Sequence, residues 1–259
     1  MATIKAAFFD IDGTLVSFKT KSVPVSAVQA INYLQNKGIK VIVSTGRSIT
    51  AIDHIKHLAF DGFICFNGGC CATHDGDVLY RQTINPEDIR SLLDYSNKHA
   101  MSYSLMYEHG ARISSAAPEV VQMHAHVNLP LPPLVDKDNI DLVNVLQGNI
   151  FLSPEEEDLF MQEVMPNCIA SRWTQSFADV NPKGLSKQSG VEFFCGHFGI
   201  DIAETISFGD GGNDITMLQA TGIGVAMGNA MPAVKQIADY VTDDVENDGI
   251  WNALKYYNI

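Results

Sequence analysis

Residues 8–16 read FFDIDGTLV. An apolar run ends in two carboxylates, Asp10 and Asp12, two residues apart. Like charges that close repel each other unless something positive sits between them. The residues leading in, TIKAAFF at 3–9, are apolar enough for a buried strand. Ligands of open parallel sheets sit at the carboxyl ends of the strands, so this pair of aspartates falls where a cation or an anionic substrate would bind.

Reading outward, a helix is expected over 24–37, with Val25, Val28, Ile31 and Leu34 at helical spacing and Gly38 as its stop. IKVIVS (39–44) reads as a second buried strand, SITAIDHIKHL (48–58) as a second helix and GFICFN (62–67) as a third strand. Nearly all-apolar strands alternating with helices predict a parallel sheet covered on both faces. The pattern changes after about residue 81. Asn85-Pro86 opens a helix; strands follow at 102–108 and 112–115, then a helix at 118–128 and a strand at 144–152. Ser153 and Glu156 form a capping box for a helix over 154–164, and a last strand is expected near 169–180. The alternation resumes after Asn181. The expected organisation is a core split between 1–81 and 182–259, with an inserted α+β domain at 82–181.

The 259 residues, 46% of them hydrophobic, can fill a real core. A net charge of -13 argues against a nucleic-acid or anionic membrane surface, since both need a basic face. The apolar runs are shorter than a membrane span, and the chain enters a strand pattern too early for a signal peptide. The cysteines, Cys65, Cys70, Cys71, Cys168 and Cys195, are odd in number and lack CxxC spacing, which points to buried thiols in a reducing cytoplasm. His124 and His126 stand two apart on one expected helix and so do not share a face as a metal pair would.

The polar residues at the strand ends carry the chemistry. They are Asp10, Asp12 and Thr14, then Ser44-Thr45-Gly46-Arg47, then Asn67-Gly68-Gly69, then Gly209-Asp210-Gly211-Gly212-Asn213-Asp214, with Lys187 on the helix leading into the last of these strands. Carboxylates, substrate phosphate and water are the donors Mg²⁺ prefers. A carboxylate nucleophile could attack phosphorus and form an aspartyl-phosphate, with a second carboxylate as acid and base. Mg²⁺, Lys187, Thr45 and the turn N–H groups would surround the phosphoryl oxygens.

FFDIDGTLV, VSTGR, GLSK and FGDGGNDITML, in that order, resemble the four motifs of the haloacid dehalogenase superfamily phosphatases. The C-terminal TGIGVAMGNAMPAVKQIADYVT and NDGI are similar to the signature of its Cof-type branch, subclass IIB. EHG, SRW and FADV within the insert resemble hexose-phosphate phosphatases of Bacteroides. The resemblance implies a Rossmann-like, doubly wound α/β core with an inserted cap, acting in the cytoplasm on a small-molecule phosphate ester, without a nucleic-acid or membrane partner. It implies Asp10 as nucleophile, Asp12 as acid/base with its carbonyl on Mg²⁺, Asp210 as the third metal ligand and Asp214 in support. Thr45, Gly46, Lys187 and Asn213 would bind phosphate.

Some assignments stay open. Lys183 competes with Lys187, and Ser44 with Thr45. Arg47 either contacts substrate or pairs with an acidic cap residue. Arg172 and Trp173 are either cap sheet or part of a sugar site; His109 and Glu108 are lesser candidates of that kind. Asn67-Gly68-Gly69 reads as a turn shaping the cleft floor. The expected activity is a Mg²⁺-dependent phosphatase for sugar phosphates, monomeric in the absence of any coiled-coil pattern. A phosphomutase or phosphotransferase using the same Asp10, or a non-catalytic phosphosugar-binding regulator, are the alternatives.

Overall fold

A computed structural model describes residues 3–126, 129–172 and 174–259. Along the chain the strands are β1 (Ala6–Phe9), β2 (Lys40–Ser44), β3 (Gly62–Cys65), β4 (Cys70–Thr73), β5 (Val78–Arg81), β6 (Tyr103–Tyr107), β7 (Gly110–Ile113), β8 (Gln147–Ile150), β9 (Cys168–Ser171), β10 (Ala178–Pro182), β11 (Thr205–Gly209), β12 (Ile223–Ala226) and β13 (Tyr240–Val241). The helices are α1 (Val25–Asn36), α2 (Pro86–His99), α3 (Pro118–His126), α4 (Pro154–Glu163), α5 (Lys187–Phe198), α6 (Ile215–Ala220), α7 (Pro232–Ile237) and α8 (Gly249–Tyr257).

The larger sheet runs β13-β12-β11-β1-β2-β3-β4-β5. Its first six strands are parallel, and β4 and β5 extend one edge as an antiparallel hairpin that the alternating pattern did not announce. Successive side chains of a strand point to opposite faces. Ala7 and Phe9 therefore enter the layer formed with α1 and α8, while Ala6 and Phe8 enter the layer formed with α5, α6 and α7. The register aligns Phe9 with both Val43 and Phe208, and the rings of Phe9 and Phe208 stack at 4.9 Å. One residue further on, Asp10, Ser44 and Gly209 come level, which brings three motifs to one edge.

Two expected elements take other forms. Residues 48–58 make two 3₁₀ turns, Ile49–Ala51 and Lys56–Leu58, rather than one α-helix. The buried residues Ile49, Ile52, Ile55 and Leu58 recur every third position, which is the 3₁₀ period, and three of them are β-branched. The strand expected near 169–180 is the antiparallel pair β9 and β10, broken where the Arg172 side chain donates to the Leu152 carbonyl at 2.7 Å and Ser176 N–H to Thr174 Oγ1 at 3.2 Å. The helix expected over 118–128 is described to His126.

The second sheet runs β7-β6-β8-β10-β9 and is antiparallel throughout. Tyr103, Leu105, Ile150, Ala178 and Val180 pack with Ile89, Leu92 and Phe160 of α2 and α4. The alternate positions, Ser104, Met106, Gln147, Asn149 and Asp179, line the cleft between the two sheets. All five cysteines are buried, and burial pushes the Cys70 thiol up to about 11, away from the reactive thiolate. No described helix is long and apolar enough to cross a membrane.

Candidate active site

The ammonium of Lys187, completely buried, donates to Asp10 Oδ1 at 2.5 Å and to Asp214 Oδ1 at 2.6 Å. Lys187 stands at the start of α5, where Ser186 accepts from Ser189 N–H. Its companion Lys183 is exposed, so the structure separates the two candidate lysines. Burial alone would lower the pKa of Lys187, but the charges of Asp10 and Asp214 outweigh it and hold the ammonium protonated. Burial pushes Asp10 up to about 7, against the attraction of Lys187 and with help from the neighbouring Asp214 and Asp12.

Asp214 is fully used by the protein: its Oδ2 accepts from the N–H groups of Asp210 at 2.9 Å and Gly211 at 2.8 Å. This ties the loop after β11 to the lysine. Asp210 is held more loosely, by Thr14 Oγ1 at 3.3 Å and Asn229 Nδ2 at 3.4 Å. Burial, Asp10 and Asp214 raise its pKa well above the ordinary carboxylate range. Gly13, at φ +89°, lets the loop pass Asp210; a Cβ there would lie 2.2 Å from Asp210 Oδ2.

Oxygens of Asp10, Asp210 and Asp214 lie within 4.8 Å of one another, all three residues buried. One ammonium faces three carboxylates, an imbalance that a divalent cation relieves. The donor set is all oxygen, which suits a hard ion such as Mg²⁺. The residues therefore fit the metal, with Asp10 and Asp210 carrying the least occupied oxygens.

Asp12 lines the same cleft but makes its bonds elsewhere. Both of its oxygens are taken by Arg47, whose Nε and Nη2 donate at 2.7 Å each. Arg47 thus has an acidic partner in the core itself, Asp12. Thr45 lines the cleft and its Oγ1 accepts from Arg47 N–H at 3.1 Å, whereas Ser44 is buried behind it. Asn213 lines the cleft too, and its amide donates to Asn67 Oδ1 at 3.0 Å.

Asn67 joins the two sheets. Its Nδ2 donates to Asp179 Oδ2 at 2.9 Å and Gln147 Oε1 at 3.1 Å. Gln147 returns a bond to the Gly46 carbonyl at 3.2 Å, and Asn149 donates to Asp179 Oδ1 at 2.7 Å. Gly46 fits because it lacks a side chain: a Cβ would stand 3.0 Å from Asp179 Oδ2. Burial pushes Asp179 up to about 6, opposed by the Asn67 bond, Lys187 and Asn149. Asn67 thus does more than shape a turn, and Gln147, Asn149 and Asp179 are site residues that motif reading missed. Their signal was the alternation of QGNI and ADVNP, whose polar positions share one strand face.

The cleft between the sheets has a volume of about 650 Å³. Its cap side includes Met106, Met123, Leu129, Pro130 and Phe177. His109 lines the mouth, 82% exposed and 3.3 Å from Glu108. Arg172 pairs with Glu157 inside the cap and is absent from the cleft lining, although its carbonyl abuts Gly212 of the core. Trp173 lies outside the described residues.

Comparisons with known proteins agree with this geometry. A Bacillus subtilis (strain 168) protein named "Putative phosphatase YkrA" is 33% identical over 97% of this chain and 96% of its own length. The structure of BT1666 from Bacteroides thetaiotaomicron, described among phosphatases of the haloalkanoate enzyme superfamily, superposes with a TM-score of 0.92 at 36% identity, covering 99% of this chain and 96% of that one. The HAD subclass IIB sugar phosphatase BT4131 superposes with a TM-score of 0.91 at 37% identity, covering 98% of this chain and 99% of that one. The sequence model of the haloacid dehalogenase-like hydrolases matches residues 7–254, and this chain belongs to that family of enzymes.

Proposed function

We propose that the chain is a Mg²⁺-dependent phosphatase of small phosphomonoesters, sugar phosphates of the hexose class foremost, working through an aspartyl-phosphate on Asp10. The observation that supports it is a buried carboxylate pinned by a buried lysine at the floor of a cleft roofed by a cap. The segments 1–81 and 182–259 would carry the chemistry, and 82–181 would form the roof. Mg²⁺, held by Asp10 and Asp210 with the carbonyl of Asp12, would supply positive charge to the phosphoryl oxygens.

Lys187 fixes Oδ1 of Asp10 and so orients Oδ2 towards phosphorus. Attack forms the Asp10–phosphorus bond and breaks the bond to the ester oxygen, which takes a proton from Asp12. Water then attacks phosphorus, Asp12 accepts its proton, and Asp10 is released with inorganic phosphate. Arg47 occupies both oxygens of Asp12, so Asp12 must leave that pair to reach the ester oxygen. Thr45, the Gly46 N–H and Asn213 are the remaining phosphate contacts, and the roof excludes bulk water.

Phosphate release would be measured from hexose and pentose phosphates, pyridoxal phosphate, nucleotides and phosphoglycolate, with Mg²⁺, with EDTA, and with Asp10→Asn as blank. Release confined to the Mg²⁺ samples, strongest for hexose phosphates, is expected. Asp10→Asn should lose on the order of 10⁴-fold or more. Release that survives EDTA or Asp10→Asn would sink the mechanism, and preference for another ester would sink the substrate class. Phosphorylated sugar among the products would favour a phosphotransferase.

A further inference from the structure

Most buried side-chain polar atoms in the described residues have protein partners. The exceptions are Ser44 Oγ, Ser104 Oγ and both ring nitrogens of His124. Ser44 lies behind Thr45 and does not line the cleft. Ser104 and His124 do, from two different elements of the cap: β6 for Ser104 and α3 for His124. They are only 1% and 7% exposed. Nearby Pro130 favours the charged ring without meeting hydrogen-bond geometry, and burial, the larger effect, draws the pKa of His124 below its ordinary value.

A buried polar group left unpaired costs about 1–3 kcal/mol. Two such groups lining one cavity are therefore unlike the rest of the described residues, whose cleft floor is closely bonded. Asn149, across from Ser104 in the sheet, is already bonded to Asp179, and Met106, Met123, Leu129 and Pro130 of the same cavity offer only apolar contact. Ligand sites have this composition: an apolar lining with a few placed polar groups. Together, Ser104 and a neutral imidazole supply at least one donor and one acceptor without net charge.

We propose that Ser104 and His124 determine leaving-group specificity by hydrogen-bonding hydroxyls of a non-ionic leaving group, whose C–H face packs on the methionine and proline wall. A sugar or polyol phosphate has this chemistry. An ester without hydroxyls would leave both groups unpaired and be rejected, as sites built around a substrate hydroxyl reject analogues that lack it. This deepens the phosphatase reading and rests on it for the phosphate end of the ligand.

Binding separates the two claims, because it does not require turnover. Dissociation constants for glucose 6-phosphate and phenyl phosphate would be measured by calorimetry with Mg²⁺, in the Asp10→Asn background, with Ser104→Ala, His124→Phe or His124→Gln added. The ratio of the two constants should shift against glucose 6-phosphate by about tenfold in Ser104→Ala and in His124→Phe, with partial recovery in His124→Gln. The thermal midpoint should hold or rise, since an unpaired polar group is removed. An unchanged ratio, whether the two affinities fall together or stay as they were, overturns the proposal. So does absence of glucose 6-phosphate binding. If the ratio shifts while wild type hydrolyses neither ester, the specificity assignment stands and the phosphatase reading fails.

Discussion

On the core side of the cleft, three carboxylates crowd one ammonium, and nearly every buried polar atom is bonded. On the cap side, beside the bonded Gln147, Asn149 and Asp179, sulfur, proline and leucine carbons line the same cavity as a hydroxyl and an imidazole that have no partner among the described residues. The difference separates two tasks. Phosphoryl transfer needs charge fixed in advance, because stabilising a transition state by reorganising the site would forfeit most of the gain. Leaving-group choice needs shape and a few unsatisfied hydrogen bonds, which only the right ligand completes. If the division is correct, substitutions in the floor should damage stability and chemistry together, while those in the roof should alter selectivity.

The harshest test of the floor is Lys187→Met. It strands Asp10 and Asp214 beside each other in a buried site, so a loss of about 3–5 kcal/mol in urea unfolding is expected. Phosphate release should fall on the order of 10³-fold, since Asp10, the proposed nucleophile, loses its orientation. Adding Asp214→Asn should restore a large part of the stability, because an amide oxygen can still accept from the N–H groups of Asp210 and Gly211. Activity should not return. Full stability in the single variant would show that the floor charges are not coupled as drawn.

Asp179 lies on the seam between floor and roof, and its effect should depend on pH. Its folded pKa of about 6 exceeds the ordinary 3.8, so folding is penalised once the carboxyl ionises. Wild type should therefore lose this contribution as pH rises from about 4 through 6, a change of about 3 kcal/mol. Asp179→Asn removes the titration, and the Asn149 amide can turn to accept. The stability of the variant relative to wild type should improve by about that amount between pH 4 and pH 8. A constant difference across this range would mean that the buried network at Asn67, Asn149 and Asp179 does not hold the proton.

The floor was legible from sequence because its chemistry falls in contiguous motifs. Asp10, Asp12, Thr45, Lys187 and Asp210 each follow or precede a buried strand, and the parallel register of β1, β2 and β11 brings their ends together. The roof was not legible in this way. Ser104, Gln147, Asn149 and Asp179 are single polar residues within apolar strands, and each matters only because its neighbours face the other way. The pairing of Arg47 with Asp12 was also hidden, since the sequence pointed that arginine only to substrate or to an acidic cap residue. The periodicity of residues 48–58 was readable but ambiguous: apolar positions three apart fit one face of an α-helix until β-branching and burial tip the balance to 3₁₀ turns.

The smallest effect should come from the mouth. His109 follows the strand β6 and makes a 3.3 Å contact with Glu108 from a side chain that is 82% exposed. Exposed pairs contribute about 0–1 kcal/mol and are screened by salt. His109→Ala should therefore change KM for a hexose phosphate by no more than about twofold, leave kcat alone and leave the unfolding midpoint alone. Ser104→Ala would bracket it from inside the same roof, where burial makes an unpaired hydroxyl costly. A tenfold rise in KM for His109→Ala, with no greater effect from Ser104→Ala, would move recognition from the buried wall to the rim, and the contrast between a bonded floor and a waiting roof would no longer describe how the substrate is chosen.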